Sequence, residues 1–142
     1  MRNEKWLSQT LRKKCTSKGL RFWSFEFSGY FSTPDLYCVS KIHGPFWIEL
    51  KFVKNIRQKI PFRSGQQKWI YDHMLAGGKA IVLVWNNEEN SAYLINDRIA
   101  SSCGEASVES IITKNRILCI ENINSASGWK EVQEALLLPR HI

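Results

Sequence analysis

The sequence predicts an α/β fold, with a mixed central sheet flanked by helices and the element order αβββαβ. Segments with helical periodicity and segments with strand periodicity alternate in that order over the first 86 residues. The chain of 142 residues, 44% of them hydrophobic, is also long enough for one domain with a substantial core. We therefore expect a single domain over residues 1–142, with its core at about 3–86 and a C-terminal elaboration at about 87–142.

The predicted core begins with a helix over residues 3–17. Its apolar residues recur at helical spacing, Asn3 is a suitable N-cap, and Gly19 is a stop signal. Three predicted strands follow, with the sequences LRFWSFEF, DLYCVSKI and PFWIELKFV. A turn at His43-Gly44 separates the last two strands, which predicts that they form a hairpin.

A second helix and a fourth strand complete the predicted core. The segment QQKWIYDHMLAGG has helical character and ends at two glycines, and KAIVLVW is typical of a strand that is buried on both faces. Beyond it, NSAYLIN and RILCIENI predict shorter strands. The segment WKEVQEALLL predicts a closing helix, with Ser127 as its N-cap.

Charged residues interrupt the hydrophobic strand PFWIELKFV. Because side chains alternate between the two faces of a strand, Glu49 and Lys51 share one face with Trp47, while the apolar residues between them face the core. Buried charge is costly unless it is paired or binds a metal ion. The predicted hairpin brings Asp35, which follows Pro34, close to Glu49. The sequence therefore predicts two carboxylates and a lysine at one place in the fold.

Two carboxylates beside a lysine are suited to hold a divalent cation. Mg²⁺ prefers oxygen ligands, as does Mn²⁺, and a metal lowers the pKa of a bound water. A lysine can orient that water or stabilise the negative charge that grows on a phosphate. The set thus predicts phosphodiester hydrolysis with Mg²⁺ or Mn²⁺ as cofactor. The alternative is structural, since Glu-x-Lys on a strand commonly forms a salt bridge and Pro-Asp commonly forms a turn.

The spacing of these residues resembles that of a known nuclease superfamily. The letters PD at 34–35, thirteen residues, and then ELK at 49–51 are similar to the PD-(D/E)xK motif. The tail FRSGQQKWIYDHMLAGGKAIVLVW is similar to the virus-type replication-repair nuclease (VRR-NUC) branch, which is itself similar to Holliday junction resolvases. The resemblance covers about residues 3–86 and implies a restriction-endonuclease-like core.

The resemblance implies a role for each residue of the motif. Asp35 and Glu49 would bind the metal ion, and the backbone carbonyl of Leu50 would be a further ligand. Lys51 would activate or position the water.

Two more catalytic residues follow from the elements that flank the motif. In the family, a glutamine stands early in a helix, and it corresponds best to Gln66, with Gln67 as the alternative. The family also has an acid in its first helix. That acid corresponds to Glu4, with Glu26 on the first strand as the alternative.

Positive charge is concentrated in the first half of the chain. The net charge is +7, but residues 1–71 carry +10 and residues 72–142 carry −3. Nucleic acid is a common partner of such a basic half, and a solvated basic surface is the alternative. We expect DNA phosphates to be bound beside the catalytic strand by Lys54, Arg57, Lys59, Arg63 and Lys68. A second basic cluster consists of Arg12, Lys13, Lys14, Lys18 and Arg21.

The sequence therefore predicts a metal-dependent DNA endonuclease, with branched DNA such as a Holliday junction as its expected substrate. The alternatives are a catalytically dormant nucleic-acid-binding module of the same fold, and a general exonuclease of the superfamily. The two-fold symmetry of a junction favours a homodimer. The C-terminal stretch EALLLPRHI could supply an apolar dimer contact, or it could pack on the core of its own chain.

The composition gives no sign of a membrane or secreted protein. No apolar run approaches the length of a membrane span, and the N-terminus lacks the apolar core of a signal peptide. The four cysteines show neither CxxC spacing nor pairing with histidine, so we expect reduced thiols and no zinc site. We expect a cytoplasmic location, which is the host cytoplasm if a phage encodes the protein.

Overall fold

The computed structural model describes residues 2–24, 34–125 and 127–142. It confirms the α/β prediction and the order αβββαβ of the first elements. Along the chain, the elements are α1 (Glu4–Lys14), β1 (Leu20–Ser24), β2 (Leu36–Ser40), β3 (Gly44–Val53), α2 (Gln66–Leu75), β4 (Ala80–Asn86), β5 (Ser91–Asn96), α3 (Asp97–Ser102), α4 (Val108–Lys114), β6 (Leu118–Ile120) and α5 (Gly128–Leu137), with a final 3₁₀ turn at Pro139–His141.

The strands of the described ranges form one mixed sheet in the order β1-β2-β3-β4-β5-β6. Strands β3 and β4 are parallel and are connected through α2, whereas the other neighbouring pairs are antiparallel. Strands β2 and β3 form the predicted hairpin, in which Leu36 lies opposite Ile48 and Ser40 lies opposite Gly44. The start of β2 therefore lies beside the second half of β3, where Glu49 and Lys51 are found.

An apolar cluster covers each face of the sheet. On one face, Phe46, Ile48 and Leu50 of β3 pack with residues of α1 and α5. On the other face, residues of α2, α3 and α4 pack on β4 and β5. Strand β4 is buried along its whole length, as its sequence predicts. The apolar side of β3 therefore belongs to the core, and its opposite side carries the charged residues.

Helix α1 carries Glu4 to the sheet. Its N-cap is the predicted Asn3, whose side chain accepts a hydrogen bond of 2.9 Å from the N–H of Trp6. Leu7 and Leu11 are fully buried in the cluster that includes β3. Because residues three, four and seven apart lie on one side of a helix, Glu4 faces the sheet rather than the opposite direction.

The region after β5 contains two helices that the sequence patterns do not predict. With six residues in α3 and seven in α4, both are too short to show a clear helical repeat. The side chains of Asn96 and Ser107 cap them. Helix α4 also anchors the basic loop, which we define as residues 54–65, because the N–H of Val108 donates to the carbonyl of Gln58 at 2.9 Å.

The closing helix α5 packs on the core of its own chain. Trp129, Val132 and Leu136 are buried in the cluster that α1 also joins, so this apolar face is not free for a dimer contact. Ser127 occupies the predicted N-cap position, but its side chain makes no capping hydrogen bond with the described residues. Within the described ranges, no helix has the length and apolar character that a membrane crossing needs. All four cysteines are free thiols.

Candidate active site

Asp35 lies at the start of β2, against the neighbouring strand β3. Its Oδ2 accepts a hydrogen bond of 2.9 Å from the N–H of Leu50. The register of the hairpin explains this contact. Because Leu36 lies opposite Ile48 in an antiparallel pair, Asp35 comes next to Glu49 and Leu50. The Asp35 carboxylate is held beside the charged side of β3, with 27% of its side chain exposed.

Glu49 is a buried carboxylate with few partners. Its side chain is 1% exposed, and its Oε1 lies 3.3 Å from Nζ of Lys51. Neither oxygen of Glu49 accepts a hydrogen bond of ordinary geometry from the described residues. The pKa of Glu49 is raised to about 9, first by burial and then by the nearby Asp35 carboxyl, while the Lys51 ammonium lowers it. The strand thus presents buried oxygens to which a proton or a cation can bind.

The Lys51 ammonium lies between two carboxylates. Its Nζ is 3.3 Å from Oε1 of Glu49 and 3.9 Å from Oε1 of Glu4. The ring of Phe62 lies 5.8 Å from the same atom, which is within the range of a cation–π interaction. Burial raises the pKa of Glu4, and Lys51 opposes that effect. The structure thus brings Glu4 to the site, whereas its alternative Glu26 lies outside the described residues.

The two candidate glutamines of α2 point in different directions. Gln66 is 1% exposed, its Oε1 accepts a hydrogen bond of 2.8 Å from the N–H of Arg63, and its Nε2 has no partner among the described residues. Its amide is close enough to Glu49 to lower the pKa of that carboxyl, although no hydrogen bond of ordinary geometry joins them. Gln67 instead donates to the carbonyl of Ala100 at 3.0 Å. The geometry favours Gln66 over Gln67.

Arg63 joins the site in a way that the sequence patterns do not reveal. Its Nη2 lies 3.8 Å from Oδ1 of Asp35 and 3.8 Å from Oε1 of Glu49. For this residue of the basic loop we predict only a phosphate contact, because a loop has no periodicity that shows where a side chain points. Gly65, with a φ of +85°, turns the chain into α2 two residues after Arg63.

The other cations predicted to bind phosphate are all exposed and form two groups. Lys59 and Lys68 are each paired with an acidic side chain. Within the described ranges, Lys54 and Arg57 form no ion pair. Exposed ion pairs are weak, so the first group can still exchange its partners for phosphate. Lys54 and Arg57 carry the charge that is most readily available to an anion.

The second basic cluster lies on α1, on the turn after it and on the first part of β1. Its five members are exposed. Nη1 of Arg12 donates to Oγ of Ser24 at 3.4 Å, and Nη1 of Arg21 donates to the carbonyl of Leu20 at 2.9 Å. These contacts are local and join the cluster to none of the residues described above, so its role in binding stays a prediction.

The donor set of Asp35 and Glu49 fits a small divalent cation. Carboxylate oxygens are the ligands that Mg²⁺ prefers, and the buried oxygens of Glu49 accept no hydrogen bond of ordinary geometry within the described ranges. In the part of the chain that the structure describes, no three His, Cys, Asp or Glu side chains come together as a metal site. A metal ion held by two carboxylates would therefore take main-chain or water oxygens as its further ligands. Mg²⁺ commonly keeps several waters.

Comparison with known proteins gives a structural likeness but no match in sequence. No family model matches the chain, and no curated protein matches its sequence. Among solved structures, the chain is similar to Hjc, a Holliday junction resolvase from the archaeal hyperthermophile Archaeoglobus fulgidus, with 14% sequence identity and a TM-score of 0.48. The match covers 76% of this chain and 96% of the resolvase. A likeness at this level transfers no activity.

Proposed function

We propose that the chain is a metal-dependent DNA nuclease that hydrolyses phosphodiester bonds with Mg²⁺ or Mn²⁺ as its cofactor. The proposal is carried by the convergence of Asp35, Glu49 and Lys51 from two paired strands, with the oxygens of Glu49 buried and accepting no hydrogen bond of ordinary geometry from the described residues. A single salt bridge does not explain this set, because three carboxyl groups, of Glu4, Asp35 and Glu49, lie near two cationic side chains. The PD-(D/E)xK resemblance of the sequence supports the same proposal.

Each residue has a distinct part in the proposed reaction. A bound Mg²⁺ or Mn²⁺ would lower the pKa of a coordinated water and offset the negative charge of the phosphate. Asp35 and Glu49, with the carbonyl of Leu50, would hold that ion. Lys51 would donate a hydrogen bond to the attacking water or to a phosphate oxygen. Glu4, whose Oε1 lies 3.9 Å from the Lys51 ammonium, would help to fix the position of that group.

Two further features support a substrate with a phosphate backbone. The Nε2 group of Gln66 is a buried donor that has no partner among the described residues, and it lies near Glu49, where it can orient the carboxylate. The exposed cations of the basic loop lie directly after the strand that carries the proposed metal ligands. A nucleic acid bound by the loop would therefore be held next to the reacting groups.

The proposal can be tested by incubating the purified protein with linear, single-stranded, flapped and four-way-junction DNA, in Mg²⁺, Mn²⁺ or EDTA. We expect cleavage with either metal and none in EDTA. Asp35→Asn and Glu49→Gln should abolish cleavage while the circular dichroism spectrum stays that of the wild type. Glu109→Gln, which changes an exposed glutamate of α4, is the matched control and should cleave normally. Full activity in Asp35→Asn or Glu49→Gln would refute the assignment.

One observation favours the dormant module as the second candidate. The Arg63 guanidinium lies close to both proposed metal ligands and can neutralise them without a metal ion. A dormant module would bind DNA with the same affinity in Mg²⁺ and in EDTA and would leave every substrate intact. Cleavage of closed circular DNA would instead identify an endonuclease and exclude the general exonuclease.

We further propose the finer assignments that the resemblance implies. These are membership of the VRR-NUC branch, one nuclease domain over residues 1–142, a preference for branched DNA and a cytoplasmic location. A homodimer would suit a two-fold symmetric junction, but it would need a surface other than the buried face of α5. The mass in solution tests the dimer, and cleavage of a four-way junction compared with a duplex of the same sequence tests the preference. A monomer that cuts both substrates equally would leave a general nuclease.

A further inference from the structure

The Arg63 guanidinium faces the oxygens that would hold the metal ion. Its Nη2 lies 3.8 Å from Oδ1 of Asp35 and 3.8 Å from Oε1 of Glu49. Both distances are longer than a hydrogen bond, so the contact depends on charge more than on directed bonding. The side chain is 45% exposed, whereas Glu49 is 1% exposed. Arg63 therefore lies on the solvent side of the carboxylate pair, and solvent is the direction from which an ion or a phosphate would arrive.

The backbone of Arg63 is held in place while its side chain has room to move. The N–H of Arg63 donates to Oε1 of Gln66 at 2.8 Å, and its carbonyl accepts from the N–H of Gln66 at 3.0 Å. The residue also lines a cavity of about 230 Å³ between the basic loop and the start of α2. The cavity is lined by more basic than acidic side chains, and among its lining residues are Lys59, Ser64, Gly65, Lys68 and Glu105.

We propose that Arg63 is the counter-ion of Asp35, beside Glu49, in the metal-free protein and turns to a DNA phosphate when a divalent cation binds. The inference rests on the proposed nuclease function. A divalent cation that takes the two facing oxygens repels the guanidinium at short range. The freed guanidinium is suited to bind a phosphate with two parallel hydrogen bonds. Metal binding and DNA binding then strengthen each other, and Arg63 carries the coupling.

This role predicts two opposite effects of removing the charge at position 63. Without DNA, the metal ion should bind more tightly, because its competitor is gone. With the metal ion present, DNA should bind more weakly, because a phosphate contact is gone. A residue that only contacts phosphate would leave the metal affinity unchanged, and a residue that only holds the carboxylates in position would lower it. The sign of the change in metal affinity therefore separates the three roles.

The experiment compares Arg63→Gln with Lys68→Gln. Both remove one positive charge from the same cavity, but Nζ of Lys68 pairs with Asp72 at 2.6 Å and not with the metal ligands. Ca²⁺ is titrated calorimetrically into each DNA-free protein, and the affinity for a labelled four-way junction is then measured with and without Ca²⁺. We expect Arg63→Gln to bind Ca²⁺ about fivefold to tenfold more tightly than the wild type does. In the wild type, Ca²⁺ should raise the affinity for DNA, and in Arg63→Gln this increase should be absent. Lys68→Gln should weaken DNA binding equally with and without Ca²⁺, because it removes a predicted phosphate contact, and should leave the affinity for Ca²⁺ unchanged.

The outcomes distinguish this inference from the proposed function. An unchanged or lower affinity for Ca²⁺ in Arg63→Gln overturns the role of Arg63, even if the wild type binds Ca²⁺ and cleaves DNA in Mg²⁺. A wild-type protein that binds neither Ca²⁺ nor Mn²⁺ overturns the metal site and this inference together. Arg63→Lys is a second variant, which keeps the charge on a different side chain. It should restore part of the competition with Ca²⁺, and failure to do so also counts against the inference.

Discussion

Replacing Glu49 by glutamine should remove a large pH dependence of stability from the metal-free protein. Glutamine has nearly the size of a protonated glutamate but cannot ionise. In the folded protein, the pKa of Glu49 is raised from 4.5 to about 9, mainly by burial. The fold therefore keeps a proton that the unfolded chain loses. The resulting stabilisation is complete below about pH 4.5 and is lost as the pH rises to about 9.

The size of the effect follows from the width of this window. Each unit of pH changes the free energy of unfolding by about 1.4 kcal/mol, so a rise of the pKa from 4.5 to about 9 corresponds to about 6 kcal/mol in total. Typical domains are stable by about 5–15 kcal/mol. The loss of this contribution should therefore be visible as easier unfolding of the wild-type protein in alkaline solution.

Urea unfolding in EDTA at about pH 5, 7 and 9 measures the effect. Between successive pH units, the free energy of unfolding of Glu49→Gln should gain about 1.4 kcal/mol relative to the wild type. The exposed control Glu109→Gln should follow the wild type. A difference between wild type and Glu49→Gln that does not vary with pH would refute the reasoning. It would mean that the Lys51 ammonium, 3.3 Å away, keeps Glu49 ionised in spite of burial.

Two other variants test the remaining parts of the site. Changing Lys54 and Arg57 together to glutamine should reduce the slope of log DNA affinity against log salt concentration by about two, because two phosphate contacts are lost. An unchanged slope would place the DNA on another surface. Glu4→Gln should slow cleavage about tenfold by loosening Lys51, and thermal unfolding should change little because the Glu4 side chain is 41% exposed. Wild-type cleavage in this variant would exclude Glu4 from the site.

The parts of the site that lie on the hairpin could be predicted from the sequence. A strand alternates its side chains with a strict period of two, so Glu49 and Lys51 had to share a face once the apolar residues between them faced the core. The short turn at His43-Gly44 then left little freedom in the register, and Asp35 had to lie near Glu49. Local rules decide both features, and no distant contact is needed to predict them.

The features that could not be predicted depend on tertiary contacts. Arg63 lies in a loop, where the direction of a side chain depends on the loop as a whole. The choice between Gln66 and Gln67 depends on the rotation of α2 over the sheet, because these neighbours differ by about 100° around a helix. Helices α3 and α4 are short enough that capping by Asn96 and Ser107, rather than periodicity, is the sequence signal that could have revealed them.

Binding of a divalent cation should release a proton from the site. The carboxylate of Glu49 must be ionised to bind a metal ion, yet with a pKa of about 9 it is protonated in the metal-free protein at neutral pH. The affinity for Mn²⁺ should therefore rise by about tenfold for each pH unit between about pH 6 and 8. Calorimetry in two buffers of different ionisation enthalpy counts the protons released.

We expect about one proton to be released per Mn²⁺ bound to the wild type. Because Glu109 takes no part in the site, Glu109→Gln should also release one. Glu49→Gln should bind Mn²⁺ weakly and release none. Tight binding by the wild type without proton release would show that Glu49 is already ionised or does not bind the metal ion. If the prediction holds, the proposed nuclease should be slow in mildly acidic solution because a proton occupies Glu49 and excludes the metal ion, while DNA binding by the exposed lysines and arginines persists.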